Sequence, residues 1–276
     1  MSNVYLYNDN KIKIEDSAFI LGSFEAIHKG HLKLINKAIS ENEKVTILIF
    51  KNPEELPKNN NLLFMDLNSR IQILANLKID NILVVNFDEK IKNMSGIDFL
   101  NSLKLMGAQK FYIGKDFKAG KNGELNSEKI KLNFNETVVV DLLENNNVKI
   151  STSILKENLV FGNFSFINEN LVANFLIKIR INFKNQIFFL EKFHNLPPGL
   201  YIVKLIYNNK KYHGFIHINF DKNIKTQLHL FNQDFSIADI ENCFLEIIKE
   251  HRFIISESTN VVNNQEKSEI KKFFLK

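Results

Sequence analysis

An apolar run, Ala18 to Leu21, enters the stretch Gly22-Ser23-Phe24-Glu25-Ala26-Ile27-His28-Lys29-Gly30-His31. A helix-like segment, Leu32 to Ile39, follows, and a second apolar run covers Val45–Phe50. Strand, glycine turn, helix and strand make a βαβ unit of ordinary spacing. The turn into the helix aims backbone N–H groups at an anion, most often a phosphate. His28 and His31 are three apart at the helix start, so both imidazoles can share one face and address one anion. Gly22 and Gly30 lack a Cβ and let a nucleotide approach the backbone. The plainer alternative is a pair of surface histidines at a helix cap.

The pattern repeats along the first half. Asn52-Pro53 breaks regularity, and Lys58–Asn61 reads as a polar loop. Asp66 is a helix N-cap before Leu67, Ile71, Leu74 and Leu77, which have helical spacing. Arg70 on that helix reads as a partner in a helix-surface or inter-element salt bridge, with contact to a substrate as the alternative. Ile82–Val85 is a strand, Ser95 to Met106 an amphipathic helix capped by Ser95 and ended at Gly107, Lys110–Ile113 a strand, and Thr137–Leu142 the last long strand. Alternating strands and helices argue for a parallel sheet with helices on both faces, with the glycine-bearing turns at its ligand edge.

The residues His28-Lys29-Gly30-His31 resemble the H-x-G-H motif of the nucleotidyltransferase superfamily. The wider pattern, G-x-F-(D/E)-x-(I/V)-H-x-G-H, resembles the adenylyltransferase half of the bacterial riboflavin kinase/FAD synthetase family. Phe87-Asp88-Glu89, the run Gly114-Lys115-Asp116-Phe117-Lys118-Ala119-Gly120, and Ile150-Ser151-Thr152-Ser153-Ile154-Leu155-Lys156 resemble further motifs of that family, in the same order. The resemblance implies a Rossmann-like nucleotidyltransferase domain over residues 1–158 that transfers AMP from ATP to the phosphate of FMN. His28 and His31 would be catalytic, stabilising charge on the α-phosphate and the leaving pyrophosphate. ATP would be bound by Gly22, Ser23, Phe24, Gly30, Ser151, Thr152, Ser153 and Lys156, and the flavin by Phe50, Asn52, Asp116 and Phe117. Mg²⁺ would bridge the ATP phosphates without a side-chain metal cluster. His31 is expected to be neutral without phosphate, because the positive end of the helix dipole opposes its protonation. Three departures stand out. Phe50-Lys51-Asn52-Pro53 lacks the histidine of the family's F-x-P-H-P, Ala119 replaces a phenylalanine, and Lys156 replaces an arginine, which keeps the charge and loses the bidentate fork.

Residues 159–276 read as a small antiparallel β-barrel with a C-terminal helix: strands Phe175–Phe183, Leu200–Tyr207, Lys211–Phe220 and Thr226–Phe231, a helix over Ile237–Glu250, and a short terminal helix in Asn263–Lys276. Leu196-Pro197-Pro198-Gly199-Leu200-Tyr201 and Thr226-Gln227-Leu228-His229-Leu230 resemble strands of the riboflavin kinase barrel. The resemblance is degenerate. No glycine or P-T-A-N tetrad lies between Phe175 and Asn195, and Gln227 stands where the family has its glutamate base. An amide cannot take that proton, and such a base contributes about 10²–10⁴-fold, so riboflavin kinase activity is expected to be lost. His213, His217 and His229 read as barrel histidines, not zinc ligands.

Composition narrows the alternatives. The 276 residues carry a net charge of +5, yet the lysines are scattered, which argues against nucleic acid and suits polyanionic ATP and FMN. A single cysteine, Cys243, allows no intrachain disulfide and fits a cytoplasmic setting; it reads as a core residue of a helix. Neither a signal peptide nor a membrane span is legible, and the oligomeric state stays open. Competing readings are a different superfamily member such as a cytidylyltransferase, a bifunctional riboflavin kinase/FAD synthetase, and a non-catalytic flavin- or nucleotide-binding protein.

Overall fold

Strands buried along their whole length must be covered on both faces, and this sets the architecture of the first half. The structure, a computed structural model, describes residues 2–7, 12–56, 63–141, 144–145, 148–190, 196–231 and 239–275, with backbone alone at 144–145 and 148–149. Two units divide the chain: Met1–Asn61 with Arg70–Ser151, and Leu62–Ser69 with Thr152–Lys276.

In the first unit, β1 (Asn3–Leu6), β2 (Ser17–Leu21), β3 (Val45–Phe50), β4 (Asn81–Val85), β5 (Ala108–Gly114) and β6 (Thr137–Val140) form one sheet in the order β1-β4-β3-β2-β5-β6. Every pairing is parallel. Leu142, at the end of the expected last strand, lies outside the described residues. The longer helices are α1 (Lys29–Glu41), α2 (Leu67–Ala75), whose first three residues fall in the second unit, α3 (Gly96–Leu105) and α4 (Ser127–Asn133), and a five-residue helix covers Glu89–Asn93. Phe19, Leu21, Leu83, Val85, Phe111 and Ile113 cluster with Phe99, Leu100 and Leu103 of α3 and Ile130 of α4. Helix α1 packs on β2 and β5 through Leu34, Ile35 and Ala38. Ser95 caps α3 by accepting the Asp98 N–H, and Gly107 ends it at φ +119, where a Cβ would lie 2.2 Å from the Ile14 carbonyl oxygen. Only glycine fits there. After β2 the chain builds β3 and β4 on one side and then β5 on the other. The strand order therefore reverses between β2 and β5, and open α/β sheets bind ligands at the carboxyl ends of strands at such a point.

The second unit contains α5 (Thr152–Val160), α6 (Phe164–Asn170), β7 (Phe175–Ile181), β8 (Ile187–Phe189), β9 (Gly199–Tyr207), β10 (Lys210–Ile218), β11 (Gln227–Leu230), β12 (Ile240–Phe253) and α7 (Asn264–Phe273). The sheet order is β8-β7-β12-β9-β10-β11, all antiparallel. It curls until its edges meet: the Ile187 N–H donates to the Thr226 carbonyl and the Leu228 N–H to the Asn185 carbonyl, each at 2.9 Å. Asn208 and Asn209, at φ 47 and 60, make the β9–β10 turn, matching the preference of such turns for asparagine. Asp66 also belongs here. Its carboxylate accepts the Ser69 N–H at 2.8 Å, the expected cap, and the Lys178 N–H at 2.9 Å, while the Phe64 ring meets that of Phe175.

The expected helix over Ile237–Glu250 is corrected. Residues 237 and 238 lie outside the described set, and Ile240–Phe253 is a long strand paired on both sides, to β7 and β9. Cys243, Leu245 and Ile247 alternate into the core, so Cys243 is buried as expected, but on a strand. The spacing of Ile240, Cys243, Phe244, Ile247 and Ile248 satisfies a helical period too, and pairing with two neighbours decides between them. β1 and β8 are strands that the sequence did not reveal. The three barrel histidines go to separate partners: His213 stacks on Phe274, His229 on Phe215, and His217 shares a hydrogen bond with Asn260.

Candidate active site

The β2–α1 connection gathers six of the predicted residues. At Gly22 a Cβ would sit 2.7 Å from the Phe24 ring. Phe24 is fully buried at φ 45, a left-handed conformation costly for a bulky side chain. Its ring centroid is 4.6 Å from that of His31. His28 is the N-cap of α1, with extended backbone at φ −97, ψ 168, and its Nδ1 accepts the His31 N–H at 3.4 Å. Because Nδ1 accepts, the proton of neutral His28 belongs on Nε2. The imidazoles of His28 and His31 stack at 3.8 Å, 17° from parallel. Gly30 makes room for the stack, since a Cβ there would lie 3.0 Å from His28 Cε1 and Nδ1. Ser23 lies half-buried in the same turn.

His31 is half-buried as a residue, yet its Nδ1 is enclosed and has no hydrogen-bond partner among the described residues. Burial, and next the charge His28 can carry, hold its pKa well below the ordinary imidazole value, against a smaller opposing effect of the Ala26 backbone. His31 is thus held neutral, with burial as the largest cause. An anion arriving over these rings would stabilise the imidazolium and reverse that balance.

The other predicted residues take different positions. Phe50 ends β3, half-buried, with its ring edge-on to Phe87 at 5.7 Å. The Asn52 amide holds both backbone polar groups of one residue: Oδ1 accepts the Phe87 N–H at 2.8 Å and Nδ2 donates to the Phe87 carbonyl at 3.1 Å. Arg70, on α2, does not lie on the helix surface. It is fully buried, and its guanidinium donates to the carbonyls of Phe50 (2.7 Å) and Lys51 (3.1 Å). Asp116 is exposed beyond the end of β5; Phe117 donates its N–H to the Gly114 carbonyl at 3.0 Å and packs against the core. Gly120, at φ +80, brings this loop onto the start of α3, where a Cβ would lie 2.3 Å from the Gly96 nitrogen. Ala119 is buried in the same core. Ser151 precedes α5, Thr152 opens it, Ser153 is exposed, and Lys156 is half-buried one turn on. An open cleft lined by Lys13, Glu15, Glu41 and Lys44 lies at the opposite, N-terminal edge of the sheet; there Lys44 pairs with Glu15, and Glu41 with Lys37.

A parallel sheet whose switch point faces two stacked imidazoles at a helix start defines a nucleotidyltransferase. The sequence profile of the FAD synthetase family matches residues 10–154, a little over half of the chain, and the chain belongs to that family. It is 27% identical over 287 residues to the bifunctional riboflavin kinase/FMN adenylyltransferase of Buchnera aphidicola subsp. Schizaphis graminum, covering 92% of each chain. With the corresponding Bacillus subtilis protein the identity is 25% over 295 residues, covering 93% of this chain and 92% of the other. A crystal structure described as a macrolide-efflux protein from Streptococcus pneumoniae superposes with a TM-score of 0.83, covering 100% of this chain and 98% of that one at 18% identity. At that identity the likeness concerns the fold alone.

Proposed function

We propose that this chain transfers AMP from ATP to FMN, giving FAD and pyrophosphate, and that its second unit no longer phosphorylates riboflavin. The observation that carries the first part is the His28–His31 stack over the start of α1, with the His31 Nδ1 enclosed and unpartnered. A phosphate oxygen of FMN attacks the α-phosphorus of ATP; the new P–O bond forms as the bond to the β-phosphate oxygen breaks, and pyrophosphate leaves. No protein nucleophile is needed. His28 and His31 hold the negative charge that builds on the α-phosphate and leaving group, and His31 gains a proton as that charge arrives. Catalysis is then positioning plus electrostatics.

Gly22, Ser23, Phe24 and Gly30 would line the ATP side, and Phe50, Asp116 and Phe117 the flavin side. Ser151, Thr152, Ser153 and Lys156 are assigned to ATP phosphates on the family motif. Among the described residues no group of three or more His, Cys, Asp or Glu converges on a metal site; Mg²⁺ would travel with the triphosphate, held mainly by phosphate and water. The setting we assign is cytoplasmic, without a nucleic-acid partner. No helix among the described residues is long and apolar enough to cross a membrane.

Loss of the kinase rests on Gln227. It pairs with His217 across the β10–β11 ladder and bridges Gln186 where the curled sheet meets itself. The full-length likeness to proteins named bifunctional favours the second reading, in which both activities persist. Chromatography of products formed from ATP and Mg²⁺ with FMN or with riboflavin separates them. FAD from FMN and nothing from riboflavin is expected. FMN or FAD from riboflavin would restore the bifunctional reading, and no product from either would point to a non-catalytic binder.

A further inference from the structure

Two polar side chains beside the candidate site hold backbone groups of strand ends. The β3–β4 ladder ends at the pair Phe50 and Val85, and Lys51 still donates its N–H to the Val85 carbonyl at 2.7 Å. At that strand end the carbonyls of Phe50 and Lys51 are both taken by the Arg70 guanidinium, at 2.7 and 3.1 Å. Arg70 has no exposed surface, so a substrate in the site cannot reach it. Its planar fork fixes two consecutive peptide groups, which a single ammonium cannot do. The next residue, Asn52, holds the backbone N–H and carbonyl of Phe87, at 2.8 and 3.1 Å. The ends of two adjacent strands are therefore stapled, one from a helix and one across the loops. What the staples hold in common is the edge-on pair of Phe50 and Phe87, both half-buried and so partly open to solvent.

We propose that Arg70 and Asn52 are positioning residues of the acceptor subsite: they touch no substrate, and they fix Phe50 and Phe87 as the aromatic wall that the planar acceptor ring meets. This rests on FMN being the acceptor. Asn52 thereby changes role from a flavin contact to a support, and Phe87 enters the site as a contact. An aromatic face is suited to a flat conjugated ring, and the stack is sensitive to the angle at which the wall is held.

The test compares Arg70→Lys, Asn52→Ala and Phe87→Ala with the unaltered protein. FMN affinity is read from flavin fluorescence without ATP, and KM for FMN and for ATP are read from pyrophosphate release. A misplaced wall is expected to raise the FMN dissociation constant and KM by about tenfold in Arg70→Lys and Phe87→Ala, and less in Asn52→Ala, with KM for ATP within about twofold. Unchanged FMN affinity in Asn52→Ala and Phe87→Ala would overturn the proposal. So would equal rises in both KM values, because a general loosening of the fold acts on both substrates. If Arg70→Lys does not fold, the other two variants decide. Failure of the unaltered protein to bind FMN would overturn the acceptor itself, and this inference with it, a result distinct from variants that bind FMN normally.

Discussion

Gly30→Ala separates the demands of the helix from those of the site. Gly30 is the second residue of α1 and is buried on its core-facing side. Alanine in place of glycine favours a helix by up to about 1 kcal/mol, less in the first turn. Gly30 is absent from the positive-φ glycines, so backbone strain does not offset that gain. The conflict lies elsewhere. The new Cβ would sit 3.0 Å from Cε1 and Nδ1 of His28, closer than ordinary van der Waals contact. The ring must give by a few tenths of an ångström, and it is confined by the His31 ring at 3.8 Å and by the His31 N–H at 3.4 Å on its Nδ1. We expect the stack to open while the helix holds. Turnover with ATP and FMN should fall about tenfold or more, equivalent to about 1.4 kcal/mol of lost transition-state stabilisation. The melting temperature should stay level or rise. A coupled pyrophosphate assay and a thermal melt on the same preparation give both numbers. Unaltered turnover would refute the reasoning, as would a loss of turnover accompanied by a clear fall in melting temperature, which would make Gly30 a residue of the fold alone.

Other consequences follow from the same contacts. The folded pKa of His31 lies below its ordinary value of 6.5, so folded His31 binds fewer protons than the unfolded chain once the pH drops below that value. Stability is full above it and falls as the pH goes lower, with a limiting slope of about 1.4 kcal/mol per pH unit from this group; His31→Gln should flatten part of the acid limb in urea titrations, leaving what His213 and His229, also lowered by burial, contribute. ATP binding should take up a proton, visible as a binding enthalpy that changes between buffers of different ionisation enthalpy at neutral pH, and His31→Gln should abolish that difference. Restoring the family's phenylalanine at Ala119 should destabilise the protein by about 1–3 kcal/mol in urea unfolding, because the site is filled. Arg252 donates to the carbonyls of Thr259 and Val261 and pairs with Glu266. Arg252→Met should therefore cost about 1–3 kcal/mol and show first as faster amide exchange in Asn264–Phe273.

The parallel sheet was legible because its strands are short apolar runs set between helical periods, and because Ser95 and Gly107 mark their helix ends chemically. His28 and His31 were legible as a pair because residues three apart at a helix start meet. Their stacking, and the need for Gly30 beneath it, were not, since these depend on a turn held by Phe24 in an unfavourable conformation. The full burial of Arg70 was not legible, because a charged residue in a helical pattern gives no sign that two strand-end carbonyls will take its guanidinium. Asn52 carried a weak signal, an asparagine before a proline at a strand end, but its partner Phe87 is distant in sequence. The strand Ile240–Phe253 was read as a helix because its apolar residues satisfy two periods at once, and only its two neighbours in the sheet select one.

The most direct test of the central claim is FMN-dependent release of pyrophosphate from ATP, measured for the unaltered protein and for His28→Ala and His31→Ala with matched circular dichroism. The account predicts release that requires FMN and falls at least about a hundredfold in either variant, with the spectra unchanged. Release at the normal rate in both variants, or no FMN-dependent release from the unaltered protein, would contradict it.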